Sequence, residues 1–219
     1  MIKDFKGVLV LKRANIITTA AIMVGMVLLA VVLGLILDID ELGIGNFIAI
    51  IVSTGYVFLN MFIRLMFMAD ETPRGLAFGI TRRSLFLNSR IYDLLELAVV
   101  VLIVAISWQG ADLGLLIKAA VLIYGIFMLV EGTGGNAVVR YGKTAYWVYY
   151  IIFLVFCLGF PRLMSMVRSV GEFMNKSFDA LFKNPYTQTS SWIGILVFVA
   201  IAMAINWITF RKIPVNANV

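Results

Sequence analysis

The sequence contains no histidine. That absence removes Ser-His and Cys-His nucleophile pairs, imidazole metal ligation and histidine haem ligation. An intramembrane protease of the Ser-His type is excluded with them. Cysteine is nearly absent too. Cys157 stands alone in an apolar stretch, so no internal disulfide can form, and it reads as a small buried hydrophobe. Charge is scarce: 14% of residues are charged, against about 25% in a soluble domain.

What fills the chain instead is hydrocarbon. Of 219 residues, 62% are hydrophobic, and the mean hydropathy is +1.01. A globule of this size has too much surface to hide that excess. Lipid as solvent resolves the conflict, and the fold class it implies is an all-α integral membrane protein forming a single domain over residues 1–219.

A crossing needs about 20 apolar residues, with a range of about 17–25. Six stretches are candidates: Ile16 to Leu37, Phe47 to Met68, Leu94 to Trp108, Leu115 to Val130, Ala145 to Phe160, and Trp192 to Phe210. The third, fourth and fifth are short and call for tilt or extension into the loops. The first is followed by Asp38-Ile-Asp-Glu41 rather than a small-residue cleavage site, so no cleaved signal peptide is expected. With six crossings and a cytoplasmic N-terminus, five of the 18 Lys and Arg fall outside (Lys118, Arg162, Arg168, Lys176, Lys183) and the other 13 inside. This is the bias of the positive-inside rule, and it puts both termini in the cytoplasm. It also accounts for the net charge of +6 without nucleic acid as a partner. Trp108, Trp147, Tyr149, Tyr150 and Trp192 lie near span ends, as interfacial anchors do.

Two segments outside the spans have helical patterning. Lys3 to Arg13 mixes Phe5, Val8, Leu9 and Leu11 with lysines, like a short interfacial helix. Pro161 to Ser190, between spans five and six, places Val170, Phe173, Met174, Phe178, Leu181 and Phe182 on one helical stripe. Glu172–Lys176 and Asp179–Lys183 are i,i+4 pairs on it. It reads as an outer amphipathic helix in the membrane interface, or equally as a lid on the bundle.

Motifs for chemistry are few. Gly142-Lys143-Thr144 matches the end of a P-loop, but the required earlier glycine position is Ala137 and no strand precedes it. Gly132-Thr-Gly134-Gly-Asn-Ala137 fits the loose dinucleotide pattern without its strand–turn–helix setting. Both read as a flexible inner loop. The loop from Ala69 to Arg90 opens with acids and a proline, then offers an amphipathic segment, Leu76 to Phe86. Gly79 is its pivot, Arg82 and Arg83 its centre, and Leu76, Phe78, Leu85 and Phe86 its apolar knobs. Such a segment suits docking into a groove on a soluble partner, with arginines pairing carboxylates at the rim. It also suits a plain positive-inside loop.

Phe78-Gly79-Ile80-Thr81-Arg82-Arg83-Ser84-Leu85-Phe86 resembles the Phe-Gly-Val/Ile-Ser/Thr-Arg-Arg/Lys…Phe element of small ABC-2-type transporter permeases. Val139-Arg140-Tyr141-Gly142-Lys143 is similar to their Arg-aromatic-Gly-Lys loop, and Trp207 to Phe210 with Arg211-Lys212-Ile213-Pro214-Val215 to their C-terminal end. The resemblance implies a membrane subunit of an ABC exporter in the cell membrane. Leu76, Phe78, Gly79, Ile80, Thr81, Arg82, Arg83 and Phe86 would form its coupling helix, with Arg140 and Lys143 in a second inner loop. The implied partners are separate ATP-binding cassette subunits, which would hold ATP and Mg, and a second permease protomer. The implied cargo is an amphipathic peptide, lipid-like molecule or drug-like compound. The chain itself would be no enzyme and carry no cofactor or metal. The alternative is a non-transporting sensor, immunity or scaffold protein.

Arg64, Glu96, Lys118 and Glu131 place charge inside apolar stretches, each near a span end, where snorkelling is expected. No acid is expected at mid-membrane, which favours energy from a partner over ion coupling. Ser53, Thr54, Asn60 and Asn206 read as helix–helix hydrogen-bonding groups, and the eleven methionines as adaptable packing.

Overall fold

The computed structural model describes residues 2–36, 43–182, 186 and 188–213. The described residues are all α: 91% of them are helical and none lies in a strand. Helix α1 (Ile2–Leu11) runs through Lys12 into α2 (Arg13–Ile36). Next come α3 (Ile44–Ala77), α4 (Arg82–Ser107) and α5 (Leu113–Val130). A π-helical turn, Glu131–Gly135, joins α5 to α6 (Asn136–Tyr141). Three more follow: α7 (Lys143–Met166), α8 (Arg168–Phe182) and α9 (Thr189–Phe210).

Among the described residues, five segments are long and apolar enough to cross a membrane: Arg13–Ile36, Ile44–Ala77, Leu113–Tyr141, Lys143–Leu163 and Thr189–Phe210. They match five of the six expected stretches, except that Leu37, the last residue of the first, lies outside the described residues. The other stretch, from Leu94, is the second half of α4. That helix has the length, at 26 residues, but Arg90, Asp93 and Glu96 interrupt its apolar character.

Two expected loops are helix. The segment after Met68 does not leave the helix at Asp70-Glu71-Thr72-Pro73. Instead α3 continues for 34 residues to Ala77, with Pro73 inside it and buried. The expected flexible loop at Gly132–Ala137 is likewise part of one helical run from Leu113 to Tyr141, with Gly132, Gly134, Gly135 and Asn136 buried. Its glycines are contact surface rather than slack. A Cβ on Gly132 would stand 2.9 Å from the Asn206 Cα, so the missing side chain is what lets α9 lie against this turn.

The most extensive helix pairs are α5 with α9 and α2 with α3, while α4 lies between α3 and α5. One apolar core fills the middle, around Val52, Tyr56, Val100, Phe127 and Met128. A second fills one end, where Val8, Leu65, Phe86, Phe210 and Ile213 meet. We call that end basal. It gathers α1, the Phe78–Thr81 turn, the Gly142 turn and the residues after α9. The opposite, distal end is tied by the Gln109 amide donating to Asn46 Oδ1 (2.9 Å) and the Gly114 amide donating to Tyr186 Oη (3.0 Å). The helix expected between spans five and six is present as α8, packed against α7, with Phe173 and Phe178 exposed. On it Glu172 pairs with Arg168, at 2.8 Å, rather than with Lys176. Lys183, the other expected partner, lies outside the described residues.

Candidate functional site

The basal turn is built by a glycine. After α3, the Gly79 amide donates to the Leu76 carbonyl (3.1 Å) and the Ile80 amide to the Gly75 carbonyl (3.2 Å). This pair of bonds closes a helix when the residue between cap and exit is left-handed. Gly79 has φ 79°, a conformation that costs other residues roughly 1–2 kcal/mol. Thr81 then caps α4, its hydroxyl accepting from the Ser84 amide at 3.3 Å. The connection between two long helices is therefore four residues, Phe78 to Thr81.

This geometry sorts the expected docking residues. Leu76 and Phe86, with neighbouring Leu85, turn inward to the basal core, and Ile80 packs against it. Arg82 also faces the chain: its two terminal nitrogens donate to the carbonyls of Arg211 (3.0 Å) and Ile213 (2.9 Å). What remains outward is Phe78, 76% exposed, together with Gly79, Thr81 and Arg83. Arg140 and Lys143 are exposed at the same end, Arg140 lying over the Tyr141 ring at 5.2 Å. A cleft of about 480 Å³ separates Lys143, Tyr146 and Trp147 from Ile63, Phe67 and Asp70 of α3.

Behind the turn lies a buried charge cluster assembled from four parts of the chain. Lys12 precedes α2, Arg64 is on α3, Arg90 and Asp93 are on α4, and Glu131 opens the π-helical turn. All five are buried. Lys12 Nζ donates to Asp93 Oδ1 at 2.9 Å, and Arg64 pairs with the same oxygen. Arg64 Nε reaches Glu131 Oε1 at 2.9 Å. Arg90 bridges Asp93 Oδ2, at 3.3 Å, and Glu131. Amides extend the network: Asn60 accepts from Arg64 (2.7 Å), Asn206 donates to Glu131 (3.3 Å), and Asn136 donates to Asn206 (3.0 Å). A cavity of about 20 Å³ lies among Lys12, Glu71, Arg64, Arg90 and Glu131. That is room for one water. Burial, then the charges of Arg64 and Arg90, pull the Lys12 ammonium down from its ordinary value.

Snorkelling therefore does not describe Arg64 or Glu131, which are 4% and 2% exposed. Removing either charge from its partners in a low-dielectric interior costs several kcal/mol, so the side chains turn to each other instead of to the ends. Lys118 is also fully buried. It ties α5 to the start of α9 through Gln188 Oε1 and Ser191 Oγ and lies 5.9 Å from the Trp192 ring centre. Glu96 is half-buried and bonded to Tyr92. Sequence reasoning left Lys12, Arg90 and Asp93 out of the cluster. In the sequence Lys12 and Arg90 count as topology charges, and Asp93 belongs to no motif. The signal that was available is the i,i+3 pair Arg90–Asp93 at the mouth of an apolar run.

No family model, no curated protein and no solved structure matches this chain. Among the described residues no group of His, Cys, Asp or Glu could hold a metal ion. The cluster is rich in cations, and its arrangement is suited to holding helices in register rather than to acid–base chemistry.

Proposed function

We propose that this chain is the membrane subunit of an ATP-driven ABC exporter, with six crossings, both termini in the cytoplasm, and the basal end facing separate ATP-binding cassette subunits. In this reading α4 supplies the third crossing, and two protomers, identical or paralogous, enclose the pathway in the cell membrane. ATP and Mg belong to the partner subunits and the chain itself catalyses nothing. The cargo is an amphipathic peptide, a lipid-like molecule or a drug-like compound.

One observation carries the reading. The short turn between α3 and α4 presents an exposed Phe78 beside an exposed Arg83. Around them, Arg82 and the inward-facing Leu85 and Phe86 fix the turn to the end of α9 and to the basal core. An aromatic knob with an arginine at its edge suits a groove with an acidic rim on a partner. A push delivered there reaches α3, α4 and α9 together. The test is purification of the tagged chain from native membranes in mild detergent. A stoichiometric ATP-binding cassette subunit is expected with the parent chain, and its loss with Phe78→Asp/Arg83→Glu at unchanged membrane insertion. A preparation with no such ATPase, under conditions where complexes of this kind survive, refutes the assignment in favour of a sensor or scaffold.

A further inference from the structure

The seam between α4 and α5 is open along its length. On α4 the wall is Leu94, Ala98, Leu102 and Ala105, and on α5 it is Leu113, Ile117, Val121 and Tyr124. Both sets step i, i+4, i+8, i+11, so each is one continuous stripe of its helix. The space they enclose, with Val199 of α9 behind, is about 590 Å³. A second cavity of about 230 Å³ lies on the α3 side of the same seam, and Leu97, Val101 and Ala120 wall both. The width comes from alanine. Ala98, Ala105 and Ala120 stand where larger side chains would fill the space between the two helices.

Three properties identify the occupant. The lining has no charged side chain, and the Tyr124 hydroxyl is its only polar side-chain group. A space of this size without polar partners does not hold ordered water. Eleven residues of helix at 1.5 Å each make the groove about 16 Å long, close to half of the roughly 30 Å hydrocarbon core. It runs from the distal end to Leu94 and Tyr124, the last of its lining on each helix, and Arg90 and Glu131 come further along the same two helical runs toward the basal end. Its length thus matches about one leaflet, and Tyr124 stands at its inner end.

We propose that this seam is a binding groove for a single long hydrocarbon tail of a membrane amphiphile, inserted from the distal leaflet with its end against Tyr124. The groove does not depend on an ATPase docking at the basal end. Its failure and the failure of the exporter reading are therefore separate results.

The experiment uses the full chain in phosphatidylcholine vesicles containing about one per cent of a phosphatidylcholine with a diazirine in its tail, followed by irradiation and peptide mapping. The expected result is several-fold more label on Ala98, Leu102, Ile117 and Val121 than on the exposed control positions Leu28 and Val32 of α2 or Ile151 and Val155 of α7. Ala98→Phe should bring groove labelling down to the control level and leave α2 and α7 unchanged. Should that variant insert poorly, Val121→Phe fills the same space from the opposite wall. Equal labelling of groove and controls overturns the proposal, as does groove labelling that survives both fillings. Efficient disulfide formation between copies carrying Ala98→Cys and Cys157→Ser also overturns it, by giving the seam to a second chain.

Discussion

Glu131 is the pivot of the buried cluster, and removing its charge gives the most direct measure of what the cluster does. In Glu131→Gln the side chain keeps its size and can still meet Asn206. Arg64 and Arg90, however, lose the carboxylate that both contact. Asp93 is then left to balance Lys12, Arg64 and Arg90 alone, apart from the half-buried Glu71 nearby. Breaking a buried pair by deleting one partner costs about 3–5 kcal/mol. For a chain of this size each kcal/mol moves the midpoint by about 2–4 °C, so a fall of about 6–20 °C is expected. The assay is thermal unfolding of the detergent-solubilised protein followed by tryptophan fluorescence. Glu172→Gln is the control, because its pair with Arg168 on α8 is exposed, and such pairs contribute about 0–1 kcal/mol. A midpoint for Glu131→Gln within about 2 °C of the control would refute the view that the cluster holds the helices together. A double change gives a second reading. Lys12→Met with Asp93→Asn removes charges of both signs, so it should cost less than the sum of the single changes, by about 1 kcal/mol or more.

Three further outcomes follow from local geometry. Gly132→Val should cost about 1–3 kcal/mol through overpacking, because the new Cβ meets the α9 backbone at Asn206, which cannot give way as a side chain would; the midpoint of the same fluorescence melt reports it, and an unchanged midpoint would mean α9 is free to move. Gly79→Ala should cost roughly 1–2 kcal/mol through its left-handed backbone alone, since open space surrounds the site; Ala77→Gly, one position inside α3, tests whether any change at this end has the same effect. Asp112 accepts from the Tyr186 hydroxyl and from the amides of Gly114 and Leu115, which hold its carboxyl below the ordinary range. The tie between the start of α5 and Tyr186 should therefore be complete above the ordinary carboxylate pKa and weaken as pH falls through the depressed one; hydrogen exchange at Gly114 and Leu115 reads it, and equal protection in Asp112→Asn would show the bond is not needed.

The apolar runs made most of the helices legible, because a stretch of twenty hydrophobic residues in lipid has few alternatives to a helix. The two places where the reading failed share one cause. Asp70-Glu71-Thr72-Pro73 and Gly132-Thr-Gly134-Gly have the composition of loops in water, and both are helix because packing decides there. Pro73 is buried in an otherwise continuous α3, and Gly132 sits against α9. The charge cluster was hidden for a different reason. Arg64 and Glu131 were each noticed, but 67 positions separate them, and nothing local in either segment says that the two meet. The basal turn was half legible. Gly79 as pivot and Phe78 as exposed knob are visible in the chain, whereas the bonds from Arg82 to the carbonyls after α9 depend on contacts across more than a hundred residues.

The wide spacing of the cluster also sets a timetable for how the protein is made. Arg64 leaves the ribosome before either of its carboxylate partners, and Glu131 follows 67 residues later. At about 5–20 residues per second that interval is about 3–13 s. Asp93 follows after 29 residues, but until Glu131 emerges α3 carries a guanidinium with only one of its two carboxylates, and the cost of holding that charge in hydrocarbon keeps its basal half near the membrane surface. Seating of α3 at full depth thus belongs to a late step, after the turn bearing Glu131 has been synthesised, and a chain truncated before residue 131 should hold Arg64 within reach of water-soluble reagents.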